Sequence, residues 1–91
     1  MKYVLEVVKI RNALGLHTRP ATVIVQLLEK FSAKVEFVYY KQRINARSVM
    51  EILSLAVQKN EQITIRVLGV DAELAMQALL DAFANKFGEI H

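Results

Sequence analysis

In the segment Gly15-Leu16-His17-Thr18-Arg19-Pro20-Ala21, a histidine, an arginine and a proline fall at one junction between loop and helix. The first amides of a helix have no intrahelical partner and carry partial positive charge, so such a junction is ready to receive an anion. Pro20 is tolerated there because its missing N–H falls among those unpaired donors. Arg19 adds a fixed charge whose planar fork matches phosphate oxygens. The positive helix end favours the neutral imidazole of His17, leaving a ring nitrogen free as a nucleophile. The chemistry these residue types suit is reversible phosphoryl transfer through a phosphohistidine. The bland alternative is a histidine that merely caps a helix or sits in a solvated loop.

The elements that must position this junction follow from hydrophobic spacing. Tyr3 to Ile10 is rich in Val, Leu and Ile and reads as a half-buried strand, broken by Arg11-Asn12-Ala13-Leu14-Gly15. From Thr18 to about Phe31, Ala21, Ile24, Val25, Leu28 and Phe31 recur at helical spacing. Lys34 to Tyr40 alternates, and a short strand around Arg43-Ile44-Asn45 pairs back across Lys41 and Gln42.

Ser48 to about Ala56 is a short helix, and Ser48-Val49-Met50-Glu51 fits a capping box. Gln62 to Leu68 alternates as a fourth strand. Asp71, as N-cap, opens a long helix with Met76, Leu79, Leu80, Phe83 and Phe87 on its apolar face, and Gly88 is its expected left-handed stop. The order is βαββαβα, which is satisfied by one mixed-order sheet with its helices on one face, an α+β open-faced sandwich.

Composition narrows the function classes. Ninety-one residues make a single domain, 1–91, which at this size buries roughly 60–70% of its unfolded surface. There is no cysteine, so neither a disulfide framework nor a thiolate metal site is available. No metal or cofactor is expected. The amino terminus, with Glu6 inside its apolar stretch, reads as a strand and not a signal, and every apolar run is interrupted before the ~18–20 residues that span a bilayer. A cytoplasmic protein without membrane insertion is expected. The net charge is +3, and the basic residues are dispersed, unlike a nucleic-acid surface, which points to acidic protein partners.

Residues 15 to 21, GLHTRPA, resemble the active-site motif of the HPr family, the histidine phosphocarriers of the bacterial phosphoenolpyruvate-dependent sugar phosphotransferase system. Asn45-Ala46-Arg47-Ser48-Val49-Met50 is similar to the family's second motif, Ser54-Leu55 follows at the expected distance, and the resemblance covers essentially the whole chain. It implies a four-stranded antiparallel sheet of order 1-4-2-3 with three helices on one face. It further implies that phosphorylated enzyme I donates to Nδ1 of His17, which then donates to enzyme IIA domains. Arg19 and the backbone amides of Thr18 and Arg19 would steady the phosphoryl group. The protein would carry the group covalently without being an enzyme in the strict sense.

Ser48 aligns with the serine that an ATP-dependent HPr kinase/phosphorylase modifies in many members, although Glu51 stands where many of those have glycine. Val49, Met50 and Leu53, left over once Ile52 and Leu55 enter the core, form an expected docking patch, completed by Thr22, Val23 and Gln26 and rimmed by Arg19, Arg43 and Arg47. A carrier that presents one face to several partners is expected to be a monomer. Two competing readings follow: a regulatory phosphoprotein of nitrogen or carbon control with no direct role in sugar transport, and a small binding module for RNA or protein built on Arg11, Arg19, Arg43 and Arg47.

Overall fold

The computed structural model describes residues 3–89. Four strands, β1 (Tyr3–Lys9), β2 (Lys34–Tyr39), β3 (Gln42–Asn45) and β4 (Gln62–Leu68), alternate with helices α1 (Thr18–Leu28), α2 (Val49–Ser54) and α3 (Ala72–Ala84), and a short 3-10 turn at Lys86–Gly88 follows. The sheet is antiparallel throughout, in the order β1-β4-β2-β3, so the strand order implied by the resemblance holds.

Register decides which side chains meet the helices. Val4 pairs with Val67, Val8 with Ile63, Val35 with Val67 and Phe37 with both Ile65 and Ile44, which gathers β-branched and aromatic residues on one face. Against that face pack Ala21, Ile24 and Leu28 of α1, Ile52 of α2, and Ala75, Met76, Leu79 and Phe83 of α3. Burial of each larger aliphatic side chain contributes about 1.5–3 kcal/mol. Ile52 and Leu55 are buried as expected. The opposite face is open, with Tyr3, Leu5 and Val7 exposed on edge strand β1 and an Arg66–Glu36 ion pair of 3.4 Å across β4 and β2.

Three local expectations are corrected. Helix α1 stops at Leu28, short of Phe31, because the amides of Glu29, Lys30 and Phe31 bond three residues back instead of four, and Arg47 takes the carbonyls of Leu28 and Phe31. Asp71 occupies the cap position of α3, but its carboxylate accepts from the amide of Ser32 at 2.8 Å and makes no cap bond. The left-handed stop after α3 begins at Lys86, two residues before Gly88, and Phe87 lies beyond the helix while still buried.

At the hairpin tip Tyr40 adopts a left-handed backbone in place of the usual asparagine or glycine, and Asn60 adopts the left-handed conformation its side chain tolerates.

Candidate functional site

His17 stands at the N-cap of α1. Its carbonyl accepts the first helical bond, from Ala21 at 3.1 Å, while its side chain makes no cap bond. Pro20, buried in the first turn, leaves the amides of Thr18 and Arg19 as the neighbouring unpaired donors. Arg19 is exposed, and among the described residues its guanidinium has no hydrogen-bond or ion-pair partner. The expected junction of imidazole, helix amides and unengaged arginine is therefore present.

The loop that delivers His17 is fixed from beneath. Gly15, at φ +67°, lies so close to the carbonyl oxygen of Val57 that a Cβ there would collide with it, and the amide of Leu16 donates to the same oxygen at 3.0 Å. The buried Asn12 donates its Nδ2 to the Gly15 carbonyl at 2.6 Å.

Spacing along the chain could not reveal the ring's principal partner. Glu89 Oε2 lies 2.9 Å from Nε2 of His17, and Glu89 Oε1 accepts from Asn12 Nδ2 at 3.0 Å. The His17 side chain is 30% exposed and that of Glu89 10%. An ionised carboxylate can only accept, so Nε2 carries a proton and the lone pair of a neutral ring resides on Nδ1. The exposed Leu14 is a further residue of this corner that motif reading did not single out.

Helix α2 runs antiparallel beside α1. The guanidinium of Arg47 donates to the carbonyls of Leu28 (2.9 Å), Phe31 (2.7 Å) and Ala33 (2.8 Å), closing the C-terminal end of α1, whereas Val57, just past α2, meets Leu16 at its N-terminal end. Ser48 thus follows a residue whose side chain reaches the end of α1 remote from His17. The guanidinium of Arg47 is occupied and does not join a free basic rim; Arg43 is exposed.

Ser48 Oγ accepts from the amide of Glu51 at 3.2 Å, which is half of the expected capping box. The other half is absent, because Glu51 Oε1 accepts from the amide of Asn45 at 3.0 Å. Of the expected patch, Met50 and Gln26 are exposed, and Thr22, Val23, Val49 and Leu53 are half-buried. The Thr22 hydroxyl donates to the carbonyl of Thr18.

Residues 5–85 match the family described as the PTS HPr component phosphorylation site. This chain belongs to the HPr family. It is 43% identical over 81 residues to the phosphocarrier protein HPr of Chlamydia muridarum, covering 89% of this chain and 78% of the relative. A crystal structure of HPr from Thermoanaerobacter tengcongensis superposes with a TM-score of 0.90 at 38% identity, covering all of both chains. Another from that organism, an HPr dimer, gives 0.76 at 39% identity over 90% of this chain and 94% of that one.

Membership in the HPr family makes the chain an HPr phosphocarrier of the phosphotransferase system, a protein of a kind that is not an enzyme in the ordinary sense. Among the described residues no helix is long and apolar enough to cross a membrane.

Proposed function

We propose that His17 accepts a phosphoryl group on Nδ1 from phosphorylated enzyme I and passes it to enzyme IIA domains. The observation that carries this reading is the contact of His17 Nε2 with Glu89, which leaves the Nδ1 lone pair without a partner among the described residues, at the start of a helix whose first amides are likewise unpaired among them. As Nδ1 attacks phosphorus, the bond between phosphorus and the donor breaks and its electron pair returns to the donor. The amides of Thr18 and Arg19 and the Arg19 guanidinium are the proposed positive partners of the negative phosphoryl oxygens, because they follow His17 directly at the helix start. The His17 side chain is 30% exposed, which suits a group that must leave again: tight binding would trap it.

Docking of both partners is assigned to one face, formed by Thr22, Val23 and Gln26 of α1 and Val49, Met50 and Leu53 of α2. Arg47 belongs to that face only by its place beside Ser48. Ser48 is the proposed site for an HPr kinase/phosphorylase, working as a cap until modified. The carrier is proposed to act as a cytoplasmic monomer. A regulatory phosphoprotein would use the same residues with different partners.

The test is incubation with enzyme I, magnesium and phosphoenolpyruvate, followed by intact-mass measurement before and after mild acid. One acid-labile phosphate, lost in His17→Ala, is the expected result. Undiminished labelling of that variant removes His17 from the role.

A further inference from the structure

Three features converge on the carboxylate of Glu89. First, it bridges His17 Nε2 at 2.9 Å and the buried Asn12 Nδ2 at 3.0 Å, so its position is set by an amide that is itself tied to the Gly15 carbonyl in the loop before the histidine.

Second, the chain reaches this point through three successive left-handed residues, Lys86 (φ 53°), Phe87 (φ 56°) and Gly88 (φ 81°). Only the last is glycine, and left-handed backbone is unfavourable for the other two. Burial of Phe87, 7% exposed with its ring edge-on to Phe83 at 4.8 Å, holds the turn in place. Third, Asn12 is 1% exposed and, among the described residues, its Oδ1 has no hydrogen-bond partner. Turning the amide over would confront the Gly15 and Glu89 oxygens with another acceptor, so the orientation that serves the carboxylate is kept although it leaves an oxygen unpaired.

Building on the phosphocarrier reading, we propose that Glu89, held by Asn12, is a positioning residue for the relay. Its carboxylate keeps the proton on Nε2, leaves the lone pair on Nδ1, and balances the positive charge of the ring while the phosphoryl group is attached. In the accepting step the Nδ1 lone pair forms the bond to phosphorus and the donor recovers the electrons of the bond that breaks. In the donating step the N–P electrons return to Nδ1. No proton enters or leaves the ring in either direction, because Nε2 keeps its own against Glu89. The helix end disfavours a positive ring and the carboxylate favours one; their opposition keeps the phosphorylated form between trapped and spontaneously lost.

The experiment compares the full chain with Glu89→Ala and Glu89→Gln. Ring nitrogen and proton NMR of His17 reports the hydrogen-bonded Nε2–H, and mass measurement at equilibrium with phosphorylated enzyme I reports the phosphorylated fraction. In Glu89→Ala the bonded ring-proton signal is expected to vanish and the phosphorylation equilibrium constant to fall about tenfold, the effect of one charge-assisted hydrogen bond partly open to water.

Glu89→Gln retains an acceptor without charge, so the ring-proton signal is expected to persist while the equilibrium constant falls by about the same factor. A labelled wild type together with unchanged signal and equilibrium in Glu89→Ala overturns the role of Glu89 alone. A wild type that takes no label overturns the carrier reading and the proposal with it.

Discussion

Arg47 donates to the carbonyl of Leu28 at 2.9 Å, joining the residue ahead of Ser48 to the last turn of the helix that His17 begins. With the bonds to Phe31 and Ala33, it adds a second donor to the Leu28 carbonyl, which also accepts from the Phe31 amide, and ties the turn after α1 to the start of α2. Arg47→Ala is expected to destabilise the fold by about 2–3 kcal/mol, since it removes three charge-assisted hydrogen bonds whose acceptors water can only partly satisfy. Urea denaturation measures this. If the stability is unchanged, the contacts contribute nothing net. Acid-labile labelling of His17 is expected to survive in the folded variant.

Met50 is 76% exposed on α2, and its replacement leaves no cavity. Met50→Asp is expected to raise the KM for phosphorylated enzyme I about tenfold, as loss of an apolar contact at a small interface does. Stability should stay within about 0.5 kcal/mol of the parent. Steady-state transfer assays check the first value and thermal melting the second. An unchanged KM would take Met50 off the docking face.

Ser48→Ala removes the cap of α2 and is expected to cost about 1 kcal/mol, read from denaturant midpoints. It should also abolish any acid-stable adduct formed by a cognate kinase with ATP. A phosphate on Ser48 would meet the helix amides favourably and the Glu51 carboxylate unfavourably. Glu51→Gln is therefore expected to stabilise the phosphorylated form relative to the unphosphorylated one by about 0.5–1 kcal/mol more than in the parent. Equal melting shifts in both backgrounds would show that Glu51 exerts no such influence.

Tyr39 donates to Glu61 Oε2 at 2.6 Å, a bond that ties the tip of the β2–β3 hairpin to the segment before β4. That bond, with smaller contributions from desolvation and charge, pushes the Tyr39 phenol up to about 12 and, with the Gln58 amide, holds Glu61 below the ordinary carboxylate value.

The folded state therefore holds the tyrosine proton more tightly, so its stabilising contribution is whole below the unfolded value of 10.0 and is lost as pH rises toward about 12. For Glu61 the contribution is present above the unfolded value of 4.5 and is lost as pH falls through the lowered one. Tyr39→Phe should flatten stability against pH at both ends in denaturation series. In Glu61→Gln, the Tyr39 titration should move back toward 10.0, seen in tyrosinate absorbance.

Periodicity along the chain determined the elements, their order and the core, because burial at every third or fourth position in Ala21, Ile24 and Leu28, or every second in Ile63, Ile65 and Val67, is a local property of the sequence. The junction at His17 was equally legible, since helix amides, Pro20 and Arg19 are its immediate neighbours. Tertiary structure alone decided which atom of the ring is held. Glu89 is 72 residues away and reaches Nε2 only because a left-handed turn, anchored by Phe87, folds the chain back, and because Asn12 waits there to receive it. It likewise gave Arg47 to the end of α1 and Asp71 to Ser32. Both were read from sequence by their nearest neighbours, whereas a long or charged side chain bonds to whatever unpaired group the packed fold brings within reach.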